Sequence, residues 1–428
     1  MVYLHVPFCR SFCTYCDFYS EIACKGRDAQ LFEPYAEAVC AEAWQRRDEI
    51  AATRDLNTLY IGGGTPSVLP LSYLERLVRT ISLPTPPSTT PSHSAQPFTE
   101  FTIEVNPEDI EQKGEPYVRG LLELGVNRVS MGVQSLDDGI LRWMNRRHDA
   151  ARARQAFRIL RDAGVKNISV DVIFGLSQLS EAVLEETLRE IIAWRPEHVS
   201  AYQLSVEEGS ALADLVRSGR YVEASQEQCA AQYALLCERL RAAGYVHYEI
   251  SNWALPGFEA VHNSAYWSRH PYVGLGPAAH SFHDRKRSWN EYSLRSYLLS
   301  NPHRFAEPPM KGASPFTSVP GGDSVASTYS ESLADTSSRR LMAPSLRSAS
   351  GPATACAGGK EVLSKKEVRE EKVMLGLRTA KGVPEAWVDA AKAAEMLADG
   401  RLVRLDGGRV RIPEGHWFVS DAIVVELI

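Results

Sequence analysis

The chain lacks any uncharged apolar stretch long enough to cross a bilayer, which excludes an ordinary membrane-spanning helix. It also lacks a basic stripe: 47 Lys and Arg stand against 53 Asp and Glu, a net charge of -6. Such a balance suits neither phosphate neutralisation nor a nucleic-acid partner, and none is expected. The 8 cysteines fall at irregular positions rather than in the framework of a small secreted domain, so a reducing compartment fits them better. No signal-peptide pattern opens the chain. The expectation is a cytoplasmic protein, or an organellar one if a targeting segment has been lost. What remains is an ordinary composition, 44% hydrophobic and 23% charged over 428 residues, enough for one large α/β domain and a smaller one.

Against that background, Cys9, Cys13 and Cys16 stand out, spaced C-x3-C-x2-C on an aromatic loop after the apolar run Val2 to Val6. Thiolates packed this closely usually share a metal. A structural zinc site wants four protein ligands, and no second Cys or His pair of that look lies nearby. An iron-sulfur cube with three protein thiolates keeps one iron open for another ligand. A loop of plain thiols and a zinc site stay as alternatives at this point.

The pattern beyond the loop alternates. Leu31 to Ile50 has the apolar spacing of an amphipathic helix. Strands are expected at Val2 to Val6, Thr58 to Ile61, Phe101 to Val105, Arg128 to Val133, Ile168 to Ile173 and His198 to Leu204. Between and after them, helices are expected near Ser72 to Thr80, Pro116 to Leu124, Asp137 to Met144, Ala150 to Ala163, Glu181 to Trp194 and Gln226 to Ala243. Six strands alternating with helices argue for a parallel sheet, curved by right-handed crossovers into a partial, TIM-like (β/α)6 barrel over 1–245. Residues 83–97 read as a flexible insertion, 246–307 as a loop-rich aromatic extension, and 308–359 as a disordered, dispensable low-complexity insertion. Over 360–428, helices and a hairpin at Leu402 to Leu405 and Val410 to Ile412 read as a smaller helical, winged-helix-like domain.

In a parallel barrel, ligands sit at the C-terminal ends of the strands. The polar residues there are Gly62-Gly63-Gly64-Thr65, Glu104, Gln134 and Asp171. Consecutive glycines let a backbone approach a ligand closely, and a carboxylate such as Glu104 suits a cationic amine or a ribose hydroxyl.

The cysteine spacing, with Tyr15 before the last Cys, resembles the signature of radical S-adenosylmethionine (SAM) proteins, in which the open iron of a 4Fe-4S cluster binds SAM. The resemblance extends through Gly-Gly-Gly-Thr-Pro at 62–66 and the segments around Glu104, Gln134, Arg146 and Asp171, which are similar to the oxygen-independent coproporphyrinogen III oxidase subgroup. It implies Cys9, Cys13 and Cys16 on the cluster, Tyr3, Gly63 and Glu104 on the cluster-bound SAM, and Tyr15, Gly64, Thr65, Gln134, Arg146 and Asp171 on a second SAM.

Three features resemble instead the HemW-type haem-chaperone branch of that subgroup. Phe18 stands where the oxidase has a fourth Cys, eight residues precede Cys9, and His262-Asn263-Ser264-Ala265-Tyr266-Trp267 fits the branch's His-Asn-x-x-Tyr-Trp motif. That resemblance implies haem as cargo, with His262 as the candidate iron ligand and His280 and His5 as rivals. It also implies a respiratory haem acceptor, in or beside a membrane, and an electron donor for the cluster; homodimerisation and SAM turnover stay open. The alternative is the oxidase reaction itself, and a third reading is another radical SAM reaction on a small molecule. Cys24, Cys40, Cys229, Cys237 and Cys356 read as plain buried or surface thiols.

Overall fold

The structure, a computed structural model, describes residues 1–23, 28–82, 98–301 and 358–428. The two insertions expected at 83–97 and 308–359 lie outside the described residues except for the last two positions of the second, as do Cys24 and Cys356.

Among the described residues, nine strands form the central sheet: β1 (Val2–Val6), β2 (Thr58–Gly63), β3 (Glu100–Val105), β4 (Arg128–Gln134), β5 (Ile168–Phe174), β6 (His198–Gln203), β7 (Val246–Glu249), β8 (Asn252–Ala254) and β9 (Val273–Leu275). Their order is β9-β1-β2-β3-β4-β5-β6-β8-β7, parallel from β9 to β6 and antiparallel at β8 and β7. The six expected strands are therefore consecutive neighbours in an open sheet, a partial barrel. The segment read as a loop-rich extension also contributes both flanks of the sheet, β9 beside β1 and the β8-β7 pair beside β6. These strands are only three or four residues long, too short for a period-2 pattern to show in the sequence.

Along β1 to β5 the side chains alternate in a way that builds two environments. Leu4, Leu59, Ile61, Phe101, Ile103, Val129, Met131, Val170 and Val172 are buried in the apolar core. The intervening residues are polar, and register sets them side by side: Tyr3 beside Tyr60, Tyr60 beside Thr102, Glu104 beside Ser130, Asp171 beside Ser200. A fully packed barrel core would be apolar on both faces. Here one face is polar, and it forms the lumen.

Helices α1 (Asp28–Gln45), α2 (Leu71–Ser82), α3 (Pro107–Glu123), α4 (Asp138–Trp143), α5 (Ala150–Asp162), α6 (Glu181–Trp194) and α7 (Gln226–Ala242) follow successive strands. Their starts are legible in chemistry: Asp149, Ser180 and Ser225 each accept a hydrogen bond from the backbone of the first helical turn. Helix α3 begins nine residues before the expected Pro116. Pro107 at its first turn is pre-set for helix, and a kink at Gly114, φ +68°, accommodates Pro116 inside it.

Strands β10 (His280–His283), β11 (Lys286–Trp289) and β12 (Gly359–Val362) make a small antiparallel sheet. The C-terminal region then contains α9 (Lys365–Leu377), entered through a Ser364 and Glu367 capping box, α10 (Ala390–Ala398), α11 (Ser420–Leu427) and the sheet of β13 (Val383–Pro384), β14 (Val403–Leu405) and β15 (Arg409–Arg411). Gly407 and Gly408, both at positive φ, turn β14 into β15. Glu371 of α9 meets Arg269 and Arg287, tying this region to the segment after the barrel. Among the described residues, no helix is long and apolar enough to cross a membrane.

Candidate functional site

The cysteine loop closes over the C-terminal ends of the strands. Phe8–Cys9 pairs with Glu21–Ile22. The Thr14 amide donates to Met144 O at 3.0 Å and its hydroxyl to Trp143 O at 2.9 Å, while Asn145 Nδ2 donates to Phe12 O at 2.6 Å. The end of α4 thus fixes the middle of the loop. Two more backbone bonds, Gly64 N to Val6 O at 2.8 Å and Thr65 N to Phe8 O at 2.7 Å, lock the glycine turn against the loop's root. Glycine is required here: Gly63 has φ +109°, and a Cβ on it would come within 2.5 Å of the His5 ring.

Around this frame the expected residues converge. Cys9 Sγ lies 3.4 Å from Thr65 Oγ1, which also accepts from Asn106 Nδ2 at 3.1 Å. Arg146 donates to Cys13 Sγ at 3.4 Å, to Asn106 Oδ1 at 2.8 Å and to Gly132 O at 2.8 Å. Burial pushes the Cys9 and Cys16 thiols up, and the neighbouring Cys13 adds to both shifts. The Tyr15 hydroxyl is likewise held well above its usual range by burial, within reach of Arg146 and Cys13.

Glu104 accepts from Tyr60 Oη at 2.7 Å and from the Gly63 amide at 3.0 Å. Burial raises its pKa to about 7, with the nearby Asp171 adding to the rise. Asp171 accepts from Ser130 Oγ at 3.1 Å and is raised to about 6, again chiefly by burial. Gln134 ends β4 at φ +66°, after a register shift against β5, so the strand turns at this residue. A side chain rarely sits in that region unless its surroundings hold it there. Tyr60, Asn106 and Ser130 were not singled out from the sequence. The signal that reveals them is the polar alternation within β2 and β4, together with Asn106 at the end of β3.

His262 is elsewhere. It lies on α8 (Val261–Trp267), where its amide donates to Glu100 Oε1 at 2.8 Å and its Nδ1 meets Thr58 Oγ1 at 2.8 Å. Glu100 and Thr58 begin β3 and β2, so His262 sits at the opposite strand ends from the cysteines. Its Nε2 meets Tyr266 Oη at 2.9 Å, the residue is 1% exposed, and burial lowers its pKa to about 3. Both ring nitrogens are occupied, which counts against His262 as an iron ligand in this conformation. Of the rivals, His5 also spends both nitrogens, on Tyr3 Oη at 3.0 Å and Tyr19 O at 2.9 Å. The half-buried His280 has no ring hydrogen bond among the described residues and lies 5.9 Å from the Trp289 ring.

Comparison with known proteins places this geometry. The Radical SAM superfamily profile matches residues 3–191. The heme chaperone HemW of Bacillus subtilis is 34% identical over 298 residues, 69% of this chain and 74% of that protein. HemW of Mycobacterium tuberculosis is 30% identical over 439 residues, covering 100% of this chain and 94% of the relative. The chain belongs to the HemW-type branch of the radical SAM superfamily. In fold, it is similar to the coproporphyrinogen III oxidase HemN of Escherichia coli, with a TM-score of 0.70 over 99% of this chain and 88% of the oxidase at 17% identity.

Membership of the radical SAM superfamily implies an iron-sulfur cluster and SAM, and the residues present fit both groups. Among the described residues, the three loop thiols are not a triad with ligand atoms within 4.8 Å of one another, as ligands of one shared ion would be. A cluster, where each thiolate takes its own iron, suits them better. Arg146 makes no ion pair with a carboxylate among the described residues, and its Nε has no partner. Glu104 and Asp171 face the same lumen and make no direct ion pair among the described residues, although the Arg128 charge acts on both and that of Arg146 on Asp171. A half-buried cation and two half-buried carboxylates that open on one lumen, none of them in direct ion-pair contact among the described residues, complement a ligand that carries an ammonium, a sulfonium and a carboxylate.

Proposed function

We propose that this protein is a haem chaperone that uses a radical SAM scaffold to hold haem and pass it to a respiratory acceptor. The observation that carries this reading is the similarity to the M. tuberculosis heme chaperone along the whole chain, while the likeness to the oxidase is one of fold. In this reading Cys9, Cys13 and Cys16 would hold a 4Fe-4S cluster, whose chemistry when loaded would be one-electron transfer to SAM. Tyr3, Gly63 and Glu104 hold that SAM, Glu104 taking its ammonium. Tyr15, Gly64, Thr65, Gln134, Arg146 and Asp171 line the adjoining space, where Arg146 attracts a carboxylate and a second SAM is accommodated.

The cysteine loop offers a surface that suits a flat macrocycle. Phe12 and Phe18, 55% and 52% exposed, flank Cys13 and Cys16 with apolar area that water does not stabilise. An iron in such a macrocycle needs an imidazole with a free nitrogen. His280 meets that need, and His262 and His5 do not unless they release their internal partners. The test is a haem titration of the wild type and of the His280→Ala and His262→Ala variants, read by the Soret band. Loss of the wild-type band in His280→Ala with retention in His262→Ala supports the assignment. The reverse pattern moves the ligand to His262 and requires α8 to open.

A further inference from the structure

Away from the barrel mouth, three side chains from distant parts of the chain point their ligand atoms at one another. Cys237 lies on α7, His247 on β7 and Glu414 in the turn Glu414–Val419, and their ligand atoms all lie within 4.8 Å of one another. His247 Nδ1 is 3.0 Å from Glu414 Oε1 and 3.9 Å from Cys237 Sγ. A tetrahedral zinc, with bonds of about 2.1 Å to nitrogen and oxygen and about 2.3 Å to sulfur, separates its ligand atoms by about 3.4 to 3.6 Å. The observed distances bracket that spacing, so small shifts of Glu414 and Cys237 bring both into range.

The hydrogen bonding of His247 is what points to a cation. Its Nδ1 faces a carboxylate oxygen and a sulfur, while its Nε2 faces Ile250 O at 3.3 Å and lies 3.5 Å from Tyr233 Oη, whose hydroxyl donates to the same carbonyl at 2.9 Å. A neutral imidazole carries one N–H, so it satisfies one side only. If Nε2 donates to the carbonyl, as histidine ligands of metals commonly do, the Nδ1 lone pair is left facing the carboxylate and the thiol. A proton on Nδ1 satisfies the carboxylate alone, whereas a metal ion between them serves the carboxylate and the thiol together. The ring cannot turn away, because Trp253 stacks on it at 4.0 Å and 14° and Trp417 meets it edge-on at 4.3 Å. Glu414 is held in turn, its other oxygen accepting from Arg241 Nη2 at 2.6 Å. The Cys237 and His247 side chains are largely covered and Glu414 is partly exposed, which gives an ion an entry path and a water its fourth position.

We infer that Cys237, His247 and Glu414 form a zinc site that pins the C-terminal region to the last helix and the edge strand of the barrel. One thiolate, one imidazole and one carboxylate suit a borderline-soft divalent ion, and the thiol proton passes to solvent as the metal binds. The site stands apart from the cluster cysteines and does not depend on the haem reading.

The test uses the anaerobically reconstituted chain, given zinc chloride and desalted, with zinc and iron counted together. The wild type holds one zinc per chain beside its iron. Cys237→Ala and Glu414→Gln lose at least tenfold in zinc affinity with iron per chain unchanged, and zinc X-ray absorption of the wild type shows one sulfur among nitrogen and oxygen ligands. Glu414→Gln, at a partly exposed position, keeps the test valid if Cys237→Ala misfolds. Zinc retained equally by both variants, or no zinc in the wild type, overturns the assignment and leaves a plain His247–Glu414 ion pair.

Discussion

Arg146 and Cys13, 133 residues apart in the chain, meet at 3.4 Å, the guanidinium donating to the sulfur. The contact couples the loop of thiols to the polar lumen, because the same side chain also bonds Asn106 and the backbone of β4. A half-buried guanidinium with no carboxylate in direct contact among the described residues is poised to take up an anion.

Replacing Arg146 with Ala removes that cation and a charge-assisted bond to the loop. Affinity for the second SAM is expected to fall by about 1.5 to 3 kcal/mol, with a faster loss of iron from the reconstituted protein. Calorimetry of SAM binding and an iron-release time course check it. Unchanged affinity at that second site would show that the carboxylate of the second SAM lies elsewhere.

Glu104 gives a pH signature. Its pKa in the free protein is raised to about 7 by burial, so below that pH much of it is protonated and cannot hold an ammonium. SAM affinity is therefore expected to rise with pH up to about 7 and then level off, with proton release on binding. The sign for stability is the opposite one. The folded state binds this proton more tightly than the unfolded chain, so the contribution of Glu104 is most favourable at acid pH and is lost as pH rises through about 7. In Glu104→Gln the affinity is weak and its rise with pH disappears; a persisting rise assigns the titration to another group.

Cys9→Ser, Cys13→Ser and Cys16→Ser should each lose most of the iron and the visible absorption of the cluster. Cys40→Ser should lose neither, since this buried residue of α1 packs in the apolar core. Full iron in any of the three loop variants would remove the cluster from this loop.

His262→Ala should act mainly on stability. It deletes partners of Thr58 and Tyr266 in a buried setting, and a loss of about 1 to 3 kcal/mol is expected from denaturant unfolding.

Much of this was readable before the structure. Three thiols in eight residues and a glycine run after a strand are local patterns, and local patterns survive in a linear reading. The parallel sheet followed from strands alternating with helices. What escaped depends on contacts between distant segments. Tyr60 and Ser130 look like ordinary strand residues until register places them beside Thr102 and Glu104. Strand β9 becomes visible only by pairing with β1, some 270 residues earlier. The same holds for His262, whose motif reads as a ligand in sequence but whose nitrogens are taken by Thr58 and Tyr266, and for His247, which meets Glu414 across 167 residues.

The most direct test of the chaperone reading is anaerobic incubation of the cluster-loaded protein with coproporphyrinogen III, SAM and a reductant, with a haem titration of the same preparation. The account predicts haem binding and no protoporphyrinogen. Accumulation of protoporphyrinogen with SAM consumption would contradict it and make the protein an oxidase.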